Sequence, residues 1–208
     1  FEKGMTGDVF KKEMTKQIRD RGGKVFGKVL TVPLNSDAYF ISDTYYRTKN
    51  YITAIARGIP CISHNWVIEC MHRGEITPYD DHKLPAGMVD GVIYPLPDVK
   101  DKLFEGRSIM LNIWTRIRSD SWLPILHPLG ACVVSDRLLR NWTPARIAAY
   151  LPQFDIVLTD SSYSPEIMNT LERAGKIVVS SKWMFESIIT GSWLDFSHHR
   201  FRYDSDNG

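Results

Sequence analysis

One pattern is written twice in this 208-residue chain, 117 positions apart and without a gap. Trp66 and Trp183 stand in that relation, as do Gly58 and Gly175, Ser63 and Ser180, Glu69 and Glu186, and Gly74 and Gly191. Upstream, Tyr39-Phe40-Ile41-Ser42-Asp43 falls on Ile156-Val157-Leu158-Thr159-Asp160. A register kept from 39 to 74 means that one supersecondary unit is used twice, so the expected fold is a pair of similar domains. The length suits two domains of roughly 100 residues, each able to bury a core. Positions where the copies differ are the places to look for function.

Each copy alternates strand and helix. Ala38–Ser42 and Ile156–Thr159 are short apolar runs ended by an aspartate, as expected of strands buried on both faces. A helix is predicted after each, over about 47–57 with Tyr51, Ile52 and Ile55 on one face, and over about 165–174 with Ile167, Met168 and Leu171. Gly58 and Gly175 stand where a left-handed cap is needed. The strands Pro60–Ser63 and Ile177–Ser180 follow, then helices carrying Trp66 and Trp183 that stop at Gly74 and Gly191. Lys11–Arg21 reads as a basic amphipathic helix closed by Gly22-Gly23, with Ser121–Leu129 and Gly130-Ala131 as its counterpart. The expected class is therefore α/β: two tandem repeats, each a small, about four-stranded, parallel sheet flanked by helices. The first repeat is placed over 1–90, a linker over 91–103 around Pro95, Pro97 and the charged stretch that follows, and the second repeat over 104–208.

The copies disagree near their starts. The second has a clear strand, Ser108–Asn112, whereas the first offers only Gly4-Met5-Thr6-Gly7 and is five positions shorter before its glycine pair. A parallel sheet does not readily dispense with its first strand, so residues are expected to be missing from the sequence there, and again around Gly27-Lys28. The chain opens without a Met and no signal peptide precedes Phe1, so it reads as a fragment of something longer. No apolar run approaches the ~20 residues of a membrane span. A formal charge of +2 gives no support to strong nucleic-acid binding. Cys61, Cys70 and Cys132 are odd in number and mostly in apolar segments, which favours reduced, buried thiols in an intracellular protein.

Gly58-Ile59-Pro60-Cys61-Ile62-Ser63-His64-Asn65-Trp66, with Gly22-Gly23 upstream and the Trp183 copy, resembles the tandem BRCT (breast-cancer C-terminal) repeat. Gly58–Cys61 together with Leu84-Pro85-Ala86-Gly87 looks most like the checkpoint mediators of the DNA-damage response in animals and fungi. The resemblance implies a nuclear, non-enzymatic phosphopeptide reader. Its first repeat would hold a phosphoserine or phosphothreonine, such as the one on the damage-phosphorylated C-terminal tail of a core histone. It also implies that the phosphate lysine immediately precedes Tyr51, at Asn50, and that a Ser/Thr-Gly pair ends the first strand, where Thr6-Gly7 matches in type. Lys49 is displaced from that lysine by one residue, about 100° around a helix.

The chemistry can be read independently of the family. A phosphate carries about −1.5 to −2 charges and three acceptor oxygens. It calls for a backbone amide, a hydroxyl and a fixed cation, ideally at a helix N-terminus. Arg47-Thr48-Lys49-Asn50 lies at such a start, whereas the matching residues of the second copy are Ser164-Pro165-Glu166-Ile167. Lys49 thus corresponds to Glu166 and Arg47 to Ser164, so only the first copy offers cations at this turn. The expected phosphate-binding set is Lys49, Arg47, Thr6 and Gly7, with Arg47 suited to a peptide carboxylate.

Plainer readings stand beside these. Lys49 and Arg47 are also what a solvated helix start would carry, and Thr6 is also a capping residue. Trp66 and Trp183 belong to the core, and Asp43 and Asp160 to turns. His198-His199 lacks the neighbours that would complete a metal site. Lys11, Lys12, Lys16, Arg19 and Arg21 read as a solvated face before a nucleic-acid patch. The competing function is a phosphate-independent interaction or homodimerisation scaffold, using apolar residues near Ile93-Tyr94 or Ile113-Trp114. No glycine-rich phosphate loop, nucleophile elbow or ligand cluster follows any strand, so no enzyme, cofactor, metal or small-molecule substrate is expected.

Overall fold

The computed structural model describes residues 8–33, 36–98, 102–112, 122–135, 143–159, 169–171, 173–176, 178–195 and 201. The chain divides into two compact units, Phe1–Asp98 and Val99–Gly208. Thr6, Gly7, Asp160, Ser164–Met168, Ile113, Trp114, His198 and His199 lie outside the described residues.

In the first unit, α1 (Asp8–Asp20) leads through a loop and a short 3-10 turn to β1 (Phe40–Ser42). Then come α2 (Lys49–Ala56), β2 (Cys61–Ser63) and α3 (His64–Arg73). β1 and β2 pair in parallel, Ile41 beside Ile62. All three residues of β1 are buried, the requirement for a strand covered on both faces. Tyr51, Ile52 and Ile55 of α2 are buried as expected, but so are Thr53, Ala54 and Ala56, so this stretch is covered on all sides rather than along one face. From α1, Met14 is buried and packs with Ile41, Ile62, Trp66 and Val67. Full burial of a side chain of this size contributes about 1.5–3 kcal/mol. Lys12, Lys16, Arg19 and Arg21 are exposed and Lys11 is half-buried.

Beyond α3 the chain runs antiparallel to β2 at Lys83 and closes a hairpin of β3 (Gly87–Val89) and β4 (Val92–Tyr94). The hairpin straddles the predicted repeat boundary at 90. The signal for it is local. Asp90 and Gly91 have φ of 50° and 81°, the two left-handed residues of a tight hairpin turn, for which Asp-Gly is a preferred pair.

In the second unit, β5 (Ser108–Asn112), α4 (Leu123–Leu126), β6 (Cys132–Ser135), α5 (Pro144–Tyr150), β7 (Ile156–Thr159), β8 (Val178–Ser180) and α6 (Ser181–Thr190) follow in order. The four strands form one parallel sheet in the order β6-β5-β7-β8. This is the four-stranded sheet the sequence predicts for each copy. In the first unit the described residues form two parallel strands rather than four, because Gly4–Gly7 lies outside them and Lys24–Phe26, the counterpart of β6, is irregular. Cys61 is buried and Cys70 half-buried, but Cys132 is exposed, contrary to the expected burial of all three. It opens β6, the edge strand, whose outer side has no neighbouring strand among the described residues.

Candidate functional site

Several hydrogen bonds of the repeat recur at equivalent positions. The Trp66 indole N–H donates to the Thr77 carbonyl at 2.9 Å, and that of Trp183 to the Leu194 carbonyl at 3.0 Å. The acceptors are again 117 apart. Ile59 N donates to Ala54 O, and its equivalent Lys176 N to Leu171 O, both at 2.9 Å. Gly58 and Gly175 have φ of 67° and 65°, and the helix-ending Gly74 and Gly191 have 72° and 66°. Left-handed backbone of this kind strains any residue with a Cβ, which is why glycine recurs there.

The candidate site lies at the carboxyl end of β1, where ligands gather in open α/β sheets. Ser42 is fully buried and its hydroxyl has no partner among the described residues. Asp43 then holds the turn, accepting from Thr44 N at 3.1 Å and from the Tyr46 hydroxyl at 2.9 Å. This is the turn role expected of it. Thr48 has extended backbone, φ −87° and ψ 156°, and its side chain accepts from Tyr51 N at 3.3 Å. It is therefore the N-cap of α2 and satisfies one of the four amides that a helix start leaves open.

Lys49 is the first residue of α2, and the first turn carries no acidic residue. Its side chain is half-buried and its ammonium nitrogen is shut off from water. Dipole logic alone would favour a carboxylate at this place. Arg47 is exposed in the loop two residues earlier, and Asn50, where the family lysine is expected, is exposed as well. Behind the turn, Tyr51 is sealed in the core and its hydroxyl donates to the Pro85 carbonyl at 2.7 Å, so the start of α2 is tied to the segment that leads into the hairpin. No sequence signal marks that anchor, because its two ends lie 34 residues apart.

The repeat also diverges at its glutamates. Glu186 is buried, while the equivalent Glu69 accepts from Arg73 at 2.9 Å and lies 2.7 Å from His82 Nε2. His82, with Arg73 beside it, holds the Glu69 carboxyl below its ordinary value. Among the described residues no cluster of His, Cys, Asp and Glu could hold a metal ion, and no helix is long and apolar enough to cross a membrane.

Residues 102–206 match a family model described as the BRCA1 C Terminus (BRCT) domain, and residues 7–71 match a second model of the same description. This chain belongs to the BRCT domain family. It carries two BRCT domains in tandem. Among solved structures it is similar to the BRCT5-BRCT6 domains of S. pombe Brc1, with a TM-score of 0.59 and 12% identity, covering 99% of this chain and 94% of that one. It is similar also to Rtt107p in a complex with a phosphorylated histone, with a TM-score of 0.58, 13% identity and coverage of 97% and 90%. A third is the S. pombe Nbs1 FHA/BRCT-repeat domain, at 0.50 and 13%, covering 91% of this chain and 60% of that one. At such identities the likeness is one of fold.

Proposed function

We propose that this tandem BRCT chain is a non-catalytic phosphopeptide-binding module of a nuclear DNA-damage checkpoint mediator. It seats a phosphoserine at the N-terminus of α2 and reads the damage-phosphorylated C-terminal tail of a core histone. The observation that carries this is Lys49: a cation withdrawn from water at the first position of a capped helix whose first turn has no carboxylate. A dianion there would meet the open amides of the helix start and the helix dipole as well as the ammonium. In this reading Arg47 supports the anion and reaches the carboxylate of the peptide end, and Thr6 and Gly7 supply the hydroxyl and amide. Rtt107p, which shares the fold, is a protein solved in complex with a phosphorylated histone.

Charge-assisted hydrogen bonds contribute about 1.5–3 kcal/mol each, and association costs several kcal/mol. Calorimetry with a phosphoserine peptide and its unphosphorylated twin tests it. The account expects heat only with the phosphopeptide, and none for Lys49→Glu. Equal binding of the twin would instead favour the scaffold reading, for which the hairpin is the available surface. There Met88, Val92 and Ile93 are 49%, 54% and 58% exposed.

A further inference from the structure

The two copies also differ in charge, at the helix that the glycine pair closes. Gly22 N donates to Arg19 O and Gly23 N to Ile18 O, just as Gly130 N donates to His127 O and Ala131 N to Leu126 O. With φ of 83° and 88°, Gly22 and Gly130 end the two helices in the same way. Residues 11–28 therefore correspond to 119–136. The first stretch holds seven Lys and Arg against Glu13 and Asp20, a net charge of +5. The second holds Asp120 and Asp136 with neither Lys nor Arg, a net charge of −2. The whole chain carries +2, so everything outside 11–28 sums to −3. Packing does not call for these cations: it falls to Met14 and Ile18 in the first copy, and in the second to Leu126, the counterpart of Ile18.

Lys12, Lys16 and Arg19 are all exposed. At about 100° per residue they share an arc of roughly 60°, and at ~1.5 Å per residue they span about 10 Å of the axis of α1. Met14 and Ile18 lie on the opposite side. Among the described residues no salt bridge engages any of the three cations, and Glu13 accepts instead from Gln17 Nε2 at 2.7 Å. Beyond the helix, Arg21, Lys24 and Lys28 are exposed as well. We propose that this face of α1 binds the phosphate backbone of duplex DNA without reading its sequence. A duplex presents one negative charge per about 1.7 Å of its axis, so cations spread over about 10 Å meet phosphates wherever the helix lies on it. Between Lys12 and Arg19 no large apolar side chain is exposed. The face thus lacks the anchors on which peptide binding depends, whereas a backbone contact needs charge alone. This site is separate from the anion seat at α2 and does not rest on the phosphopeptide reading.

The probe is a fluorescently labelled DNA duplex of about 20 base pairs, its binding to the whole chain followed by anisotropy over a range of salt. Three phosphate contacts give the logarithm of the association constant a slope of about −2.7 against the logarithm of salt concentration, a loss of roughly fortyfold between 50 and 200 mM. Lys16→Gln is expected to make that slope shallower by about one. The triple variant Lys12→Gln, Lys16→Gln, Arg19→Gln is expected to weaken binding at least about tenfold at low salt, with circular dichroism and phosphopeptide affinity unchanged. A charge-matched control, Arg73→Gln, Lys102→Gln, Arg146→Gln, removes three exposed cations elsewhere and is expected to keep most of the binding. If the triple variant of α1 does not fold, the slope of Lys16→Gln decides. No binding at the lowest salt, an equal loss in the two triple variants, or tighter binding of a polyglutamate peptide than of the duplex would each overturn the proposal. The last of these would make the face a seat for acidic protein segments.

Discussion

Replacing Trp66 by Phe removes one donor and part of one ring from the first unit. The acceptor it abandons, the Thr77 carbonyl, belongs to a residue that is 6% exposed, so water cannot readily take the place of the indole. Leaving a buried acceptor without a partner costs about 1–3 kcal/mol. The smaller ring leaves a void of roughly 40 Å³, which at about 24 cal/mol per Å³ adds about 1 kcal/mol. The expected loss is therefore about 2–4 kcal/mol. Trp183→Phe is expected to cost at least as much, since Trp183 is fully buried and packs against Phe104 and Trp193 with ring centres 5.7 and 4.9 Å away. Hydrogen exchange resolved along the chain reads each unit separately. For Trp66→Phe the loss should appear in α3 and β2, and for Trp183→Phe in α6 and β8. A loss below about 0.5 kcal/mol in either variant, within the range of ordinary surface changes, would refute the view that the two indole bonds are equivalent structural anchors.

Three further substitutions test local points. Thr48→Ala removes the cap of α2 and should cost about 1 kcal/mol, read by denaturant unfolding. Thr48→Ser should restore most of it. Gly23→Ala would place a Cβ 2.5 Å from Ile18 Cγ2 and 2.9 Å from its carbonyl oxygen, an overpacking expected to cost about 1–3 kcal/mol and visible as a lower melting temperature. Glu69, held below its ordinary pKa first by the His82 hydrogen bond and then by Arg73, contributes stability that is present above the unfolded-state value near about 4.3. That contribution is lost as pH falls through the lower folded value. The melting temperatures of wild type and Glu69→Gln should accordingly converge in acid and separate towards neutral pH.

Much of the fold is legible because its causes are local. Gly58, Gly74, Gly175 and Gly191 mark left-handed caps that only glycine fills without strain. The buried runs of β1 and β7 follow from the apolar runs of the sequence. The irregular course of Lys24–Phe26 is not legible in the same way. Whether Lys24–Phe26 becomes a strand depends on a neighbour to pair with, and that neighbour is a matter of tertiary context. The β3–β4 hairpin does have a signal in Asp90-Gly91, but the prolines at 95 and 97 that follow it carry an equally strong linker signal and mask it. At the candidate site, charge and position of Lys49 can be read from the repeat, but the withdrawal of its ammonium from water cannot. That is set by tertiary packing around the start of α2, which local sequence does not carry.

The central claim is that the start of α2 is a seat for a single phosphate, and an amide-resolved titration tests it most directly. An isotope-labelled chain is titrated with a phosphoserine peptide and with its unphosphorylated twin, and the backbone amide signals are followed. The account predicts saturable shifts at Lys49, Asn50 and Tyr51 with the phosphopeptide alone, abolished in Lys49→Glu. Shifts of the same size with the twin, or phosphate-dependent shifts confined to other parts of the chain, would contradict it.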